Sequence, residues 1–283
     1  MGCRAWYQLL HKMTIQGLQE KQLKEVNSMG FIDERKEYII EDMYPKRPWM
    51  NYLWNEEYIA IVNQFGFGKG MFSAENNFQH NTIRESDSRI FYLKCDGEIY
   101  AVNRNYDKKK FDVFRTIVGI GYSTVISEYK GIQAQFTLMI PHKGKRECWR
   151  LVLKNVSNQP KQMELYAFAD LDVRLVEHLA CTYGNFDKEL NGVYFRHKVY
   201  NSPTEYHVGH FATNCEVKAY DTAKRRFIGG YGNLQTPDGI KADKLACMDN
   251  SFDAETIAAL QFEVNLDAGE EKTLYFTVGV EKT

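Results

Sequence analysis

The chain has 283 residues, 36 of them basic and 37 acidic, and a formal net charge of -1 excludes the electrostatic footprint of a nucleic-acid binder. A hydrophobic share of 44%, with 14% aromatics and only 6 prolines, is enough for a full core and excludes a disordered chain. No apolar run has the length of a membrane span, and the first 27 residues lack the apolar stretch of a secretion signal, so the expectation is a soluble, cytoplasmic protein.

From Trp6 to Val26 the apolar residues Trp6, Leu9, Leu10, Met13, Leu18, Leu23 and Val26 recur at helical spacing among Glu, Gln and Lys. This predicts an amphipathic helix in an extension over residues 1–28. From residue 29 to 283 the texture changes to short runs of Ile, Val, Phe and Tyr divided by turn residues about every ten positions, the pattern of an all-β sandwich or barrel. No Pro- or Ser-rich linker divides this stretch, so one extended β domain is expected.

Gly66-Phe-Gly-Lys-Gly lacks the order of a phosphate-binding loop and no helical pattern follows it, so it reads as a bent β connection. Arg89 to Lys94 and Glu98 to Val102 flank Asp96-Gly97, a tight-turn dipeptide, and predict a hairpin. Thr116 to Ser127 and Ile132 to Ile140 flank Lys130-Gly131 and predict another. Trp149 to Asn155 and Gln162 to Phe168 read as a third strand pair, and Leu260 to Leu266 with Leu274 to Val280 as the last. The basic clusters Lys108–Lys110 and Lys224–Arg226 read as solvated loops.

Among chemistry-bearing residues, cysteines 3, 95, 148, 181, 215 and 247 never form C-x-x-C, which predicts neither a zinc site nor a redox pair and fits a reducing compartment. No metal and no cofactor is expected. His207 and His210 lie close in sequence, yet three-residue spacing on a strand does not bring two rings to one face. Asp170, Asp172 and Glu177 cannot be assigned as a hydrolytic pair from spacing. The positive signal is aromatic and amide residues in two segments, Asn76-Asn77-Phe78-Gln79-His80 and Thr182-Tyr-Gly-Asn-Phe. Sugars are held by rings on their apolar faces and by planar amides on their hydroxyls. Taken alone, the same residues also fit turns with packed aromatics.

Several segments together resemble the N-terminal domain of cellobiose phosphorylase and its relatives in glycoside hydrolase family 94. They are Gly30-Phe-Ile-Asp-Glu-Arg-Lys-Glu-Tyr-Ile-Ile, Arg47-Pro-Trp-Met-Asn-Tyr-Leu, Gly119-Ile-Gly-Tyr-Ser-Thr, Lys154-Asn-Val-Ser, Gly229-Gly-Tyr-Gly-Asn-Leu and the final Gly269-Glu-Glu-Lys strand, collinear from about residue 30 to 281. The resemblance implies a large antiparallel super-sandwich of galactose-mutarotase-like topology. In the full enzymes it is followed by an (α/α)6 barrel carrying the catalytic acid of an inverting phosphorolysis of β-glucosidic bonds. With that barrel absent, no catalytic residue is assigned here.

The resemblance also implies a homodimer, and residues lent to the acceptor-sugar end of the site. Tyr183 matches a family tyrosine there, with Gly184 and Asn185 in place of the contact pair. Gly70 and Arg84 match a second loop in which Asn76, Asn77, Gln79 and His80 replace tyrosines and arginines. The candidate substrate-binding residues are thus Tyr183, Asn185, Asn76, Asn77, Gln79, His80 and Arg84. The expected ligand is a β-linked oligosaccharide, and the expected partner a separate or missing barrel. Alternatives are a free-standing carbohydrate-binding module, a purely structural dimerisation domain, and a mutarotase-like epimerase, which would need a paired histidine and glutamate.

Overall fold

The computed structural model describes residues 31–32, 36–47, 49–73, 79–104, 111–172, 182–198, 206–249 and 255–281. The expected N-terminal helix and the Lys108–Lys110 cluster lie outside these residues. In chain order the strands are β1 (Phe31–Ile32), β2 (Glu37–Ile40), β3 (Asn51–Trp54), β4 (Tyr58–Val62), β5 (Gly68–Ser73), β6 (Gln79–Ser86), β7 (Arg89–Cys95), β8 (Glu98–Ala101), β9 (Val113–Gly119) and β10 (Tyr122–Tyr129). There follow β11 (Ile132–Met139), β12 (Arg146–Asn155), β13 (Lys161–Asp170), β14 (Thr182–Asp187), β15 (Gly192–Lys198), β16 (Tyr206–Thr213) and β17 (Ala219–Ala223). Two short helices, α1 (Lys224–Ile228) and α2 (Asp238–Lys241), precede β18 (Thr256–Leu266) and β19 (Glu271–Glu281).

The strands form three antiparallel sheets. A ten-stranded sheet has the order β1-β2-β9-β10-β11-β12-β19-β16-β15-β14, a five-stranded sheet the order β17-β18-β13-β7-β8, and a four-stranded sheet the order β3-β4-β5-β6. Alternation explains the layering. On β11, Ile132, Ala134, Phe136 and Leu138 are buried while Gln133, Gln135, Thr137 and Met139 are half-exposed, so one face of the large sheet meets the core. Strand β13 is buried on both faces from Leu165 to Asp170, because Leu165 and Ala167 join the main core and Tyr166 and Phe168 meet α1 and α2 through Phe227 and Ile240. Between the two larger sheets Phe91 packs on Phe136, Trp149 and Phe276 at ring separations of 5.0, 6.0 and 5.3 Å.

Both turn-dipeptide hairpins form: Asp96 and Gly97, and Lys130 and Gly131, have the positive φ angles of a primed turn. Three expectations about strands are corrected. The run Thr116 to Ser127 is two strands, β9 and β10, folded back at Ile120-Gly121 where Gly121 has φ of 81°. Strands β12 and β13 are not a pair, since β12 joins β11 and β19 while β13 joins β7 and β18 in the other sheet. The last two strands, β18 and β19, are likewise in different sheets. Both arches are tied by one buried side chain, because the Asn155 amide donates to the carbonyls of Gln159, Leu266 and Asp267.

All three sheets also meet at one buried polar knot. Arg89 of β7 donates from Nε and Nη2 to Glu147 of β12 at 2.8 and 2.6 Å, and both side chains are fully buried. The Trp149 indole donates to the same carboxylate at 2.8 Å and the Tyr58 hydroxyl of β4 at 3.1 Å. Nη1 of Arg89 donates to the carbonyls of Gly66 and Gly68, in the bent connection expected there. Gly70 borders the knot, since a Cβ at this position would stand 2.2 Å from the Tyr58 hydroxyl and 2.5 Å from Glu147 Oε1.

Candidate functional site

Of the two segments singled out in the sequence, the first enters β6. Asn76 and Asn77 lie outside the described residues. Gln79 opens β6 opposite Ser73, and His80 is buried with its ring 5.4 Å from that of Phe72. Arg84 is held by acids: its Nε donates to Asp170 at 3.1 Å, and Nη1 lies 3.7 Å from Glu255. Lys224 reaches the same Asp170 at 2.8 Å, and Ser86 donates to it at 3.3 Å. Arg226 makes a forked pair with Asp221. The Lys224–Arg226 cluster is therefore not a solvated loop, because buried acids at the end of β13 and in the middle of β17 fix its first and last members and leave Arg225 exposed.

The second segment is β14, an edge strand of the ten-stranded sheet and not a loop. It docks on the five-stranded sheet through the stack of Phe186 on Tyr220, 4.5 Å apart and 12° from parallel, and through the Phe186 N–H to Asp249 Oδ1 at 3.0 Å. Gly184 makes that docking close, since a Cβ there would lie 2.8 Å from the Thr256 methyl and 3.1 Å from Thr222. Thr256 accepts the N–H of Leu171, whose carbonyl accepts from Arg84. Thus the structure makes the Arg84 cluster and the β14 segment neighbours, linked through Thr256 and Leu171.

Asn185 faces the other way, onto the side of the ten-stranded sheet turned from the core. Registered pairs carry one row across this face: Asn185 on β14, Tyr194 on β15, His210 on β16, Gly279 on β19 and Arg146 on β12. All four side chains are half-buried. Tyr183 precedes in register opposite Arg196, whose guanidinium lies 5.4 Å from the Tyr194 ring centroid. Arg146 Nη1 meets Glu281 at 3.0 Å, and His210 Nε2 lies 3.5 Å from the Thr277 hydroxyl.

Burial and then the nearby Arg146 push the His210 imidazole down to about 4, so it is neutral at pH 7 and can donate from one nitrogen and accept at the other. A neutral imidazole, a phenol, an amide and a guanidinium in one row suit polyhydroxylated ligands: they offer donors and acceptors beside an aromatic ring. Among the described residues no hydrogen bond joins His210 to an acid, and the acid nearest the row, Glu281, is paired with Arg146; the epimerase alternative needs a histidine and a glutamate in contact. His207 stands opposite His197 in register. Among the described residues no group of three or more His, Cys, Asp and Glu is placed to hold a metal ion. Tyr194 and Arg146 escaped the sequence reading because their row crosses five strands. Alternation on β12, where Arg146, Cys148 and Arg150 stand opposite Trp149, was the available signal.

A family model, the supersandwich domain of glycosyl hydrolase 94, matches residues 36–283. The chain is 25% identical over 261 residues to a solabiose phosphorylase from Paenibacillus borealis, with 87% of this chain and 34% of that protein covered. It is 24% identical over 272 residues to an N,N'-diacetylchitobiose phosphorylase from Vibrio proteolyticus, with 89% and 33% covered. It is also similar to the solved GalM/aldose epimerase homologue from C. elegans, at a TM-score of 0.48 and 9% identity over 84% of this chain and 100% of that one. The chain therefore spans about a third of the length of the curated relatives it matches. No helix among the described residues is long and apolar enough to cross a membrane. With its sandwich matched by that family model from β2 to the end of the chain, this protein belongs to the supersandwich-domain family of glycosyl hydrolase 94.

Proposed function

We propose that this chain is the sandwich part of a cytoplasmic, homodimeric glycoside phosphorylase-like protein acting on β-linked gluco-oligosaccharides. In this reading the sandwich contributes to dimerisation and to the acceptor-sugar end of the site. The general acid and the phosphate-binding groups come from an (α/α)6 barrel, and the sandwich is not catalytic alone. The observation that carries it is the family match over 36–283, together with relatives, named as phosphorylases of solabiose and of N,N'-diacetylchitobiose, that are about three times as long.

The residues assigned to the acceptor end are Tyr183 and Asn185 on the edge strand and Asn76, Asn77 and Gln79 before or at the start of β6. Arg84 and His80 support them, since Arg84 is bound to Asp170 and His80 is packed on Phe72. The row Asn185–Tyr194–His210 favours one second reading, a free-standing module that binds saccharide without turning it over.

The test is phosphate release or uptake with cellobiose, laminaribiose, sophorose and longer oligomers plus glucose 1-phosphate, on the chain alone and with a barrel-bearing partner. Turnover only with the partner is the expected result. Turnover by the chain alone overturns the reading, and silence in both arms combined with saturable sugar binding in calorimetry selects the binding module.

A further inference from the structure

We propose that Arg150 and Arg115 form a site for an oxyanion-bearing ligand on the outer face of the ten-stranded sheet, the anion being the carboxylate of an acidic sugar or a phosphate. Arg150 on β12 stands in register between Thr137 on β11 and Tyr275 on β19. Arg115 on β9 stands opposite Ile126 of β10, which continues through Gln135 of β11 to Val152 of β12, the row next to that of Arg150. Three strand spacings, roughly 14 Å, separate the two chains carrying them. A ligand of monosaccharide size lying over the half-buried Gln135 and Thr137 of β11 can therefore meet both guanidinium groups.

Both side chains are half-buried, and the Nε of each is shielded from solvent without a hydrogen-bond partner. Among the described residues neither guanidinium makes any hydrogen bond or ion pair. Other arginines of the fold do: Arg84 with Asp170, Arg89 with Glu147, Arg146 with Glu281 and Arg226 with Asp221. Two acids are near Arg115 by register, Glu41 one step past the paired end of β2 and Glu128 on β10; neither makes an ion pair with it, and Glu128 accepts from the Gln133 amide at 3.3 Å. Removing part of a cation's water without supplying an anion costs free energy, and a chain of net charge -1 has acids enough to pair two more arginines.

Between the two unpaired arginines the sheet offers the Gln135 amide and the Thr137 hydroxyl, which lies 2.9 Å from that of the buried Thr124. Guanidinium forks match the two oxygens of a carboxylate or phosphate, and the amide and hydroxyls suit the rest of a sugar. This site is separate from the Asn185–His210 row and does not rest on the phosphorylase reading.

The test is calorimetry on the full chain at low ionic strength with D-glucuronate, inorganic phosphate and D-glucose, repeated on R150Q and R115Q. Saturable binding of an anion, absent with glucose and weakened about tenfold or more by each variant, is the expected result. Glucuronate binding without phosphate binding identifies an acidic sugar, and competition between the two identifies a general oxyanion site. Both support the proposal. It is overturned if neither anion saturates, or if both variants bind the anion like the parent. A melting temperature of ligand-free R150Q that drops by several degrees also overturns it, because the arginine would then serve the fold.

Discussion

Arg89 and Arg150 lie on neighbouring layers of one sandwich and show two uses of the same side chain. Arg89 is wholly enclosed and uses three nitrogens, two on Glu147 and one on the carbonyls of Gly66 and Gly68, while Glu147 is further held by Trp149 and Tyr58. Arg150 is only half-enclosed, and among the described residues its guanidinium has no partner. Burial alone therefore does not say what a polar residue is for. A buried charge whose partners are complete belongs to the fold, and a partly buried one with none is available for something else.

The first and largest test breaks the enclosed pair. Arg89→Met leaves Glu147 charged in the core, and the expected loss is about 3–5 kcal/mol in denaturant unfolding. The double variant Arg89→Met, Glu147→Leu should recover part of that loss, because it removes the stranded charge while leaving Trp149 and Tyr58 without an acceptor. A single-variant loss below about 1 kcal/mol would sink the view that this knot joins the three sheets.

A partly paired case lies between the extremes. Asp170 is buried, and its cations Arg84 and Lys224 keep side-chain exposures of 17% and 16%, so solvent already screens them in part. Asp170→Asn keeps the shape and removes the charge, and a loss of about 1–3 kcal/mol is expected by thermal melting. A loss equal to that of Arg89→Met would mean that enclosure does not grade these interactions as the comparison requires.

His210 supplies the test in pH. Its native imidazole is lowered to about 4, by burial first and Arg146 second, against 6.5 when unfolded. In that window the unfolded chain binds a proton that the native chain refuses, so stability is full above about pH 7 and falls as the pH drops from 6.5 towards 4. The His210 share of that fall is roughly 2–3 kcal/mol. Unfolding of His210→Asn beside the parent from pH 7.5 to 4 measures it as a difference. Parallel curves would show that the imidazole is solvated and not enclosed.

Much of the fold was legible in the sequence, and particular residues show where legibility stopped. Asp96-Gly97 and Lys130-Gly131 gave two hairpins because only a few dipeptides adopt their φ angles. Alternation on β12 and β13 gave the residues of each strand that meet the main core, yet neither the second buried face of β13 nor the sheet each strand joins, which depends on pairing with β7, β18 and β19 far along the chain. The β14 segment looked like a loop because Gly184 and Asn185 interrupt its apolar period, whereas the glycine is what allows the strand to dock against Thr222 and Thr256. Asn185 was legible as an amide beside aromatics. Its row-mates were not, because Tyr194, His210 and Arg146 meet only through strand register.

The smallest effect bears most directly on the contrast between Arg89 and Arg150. Arg150→Met keeps an unbranched apolar stem on the half-buried position and removes the guanidinium. Since among the described residues that group makes no hydrogen bond or ion pair, its loss leaves no acid stranded and returns no interaction to water. The expected change in unfolding free energy in ligand-free buffer is therefore within about 0.5 kcal/mol, and it can be a gain, because a half-buried unpaired charge is no longer held there. Denaturant midpoints of Arg150→Met and Arg89→Met on the same day would place the two arginines on one scale. Equal losses would erase the distinction, whereas a gap of about 3 kcal/mol or more would separate an arginine that holds the fold from one that does not.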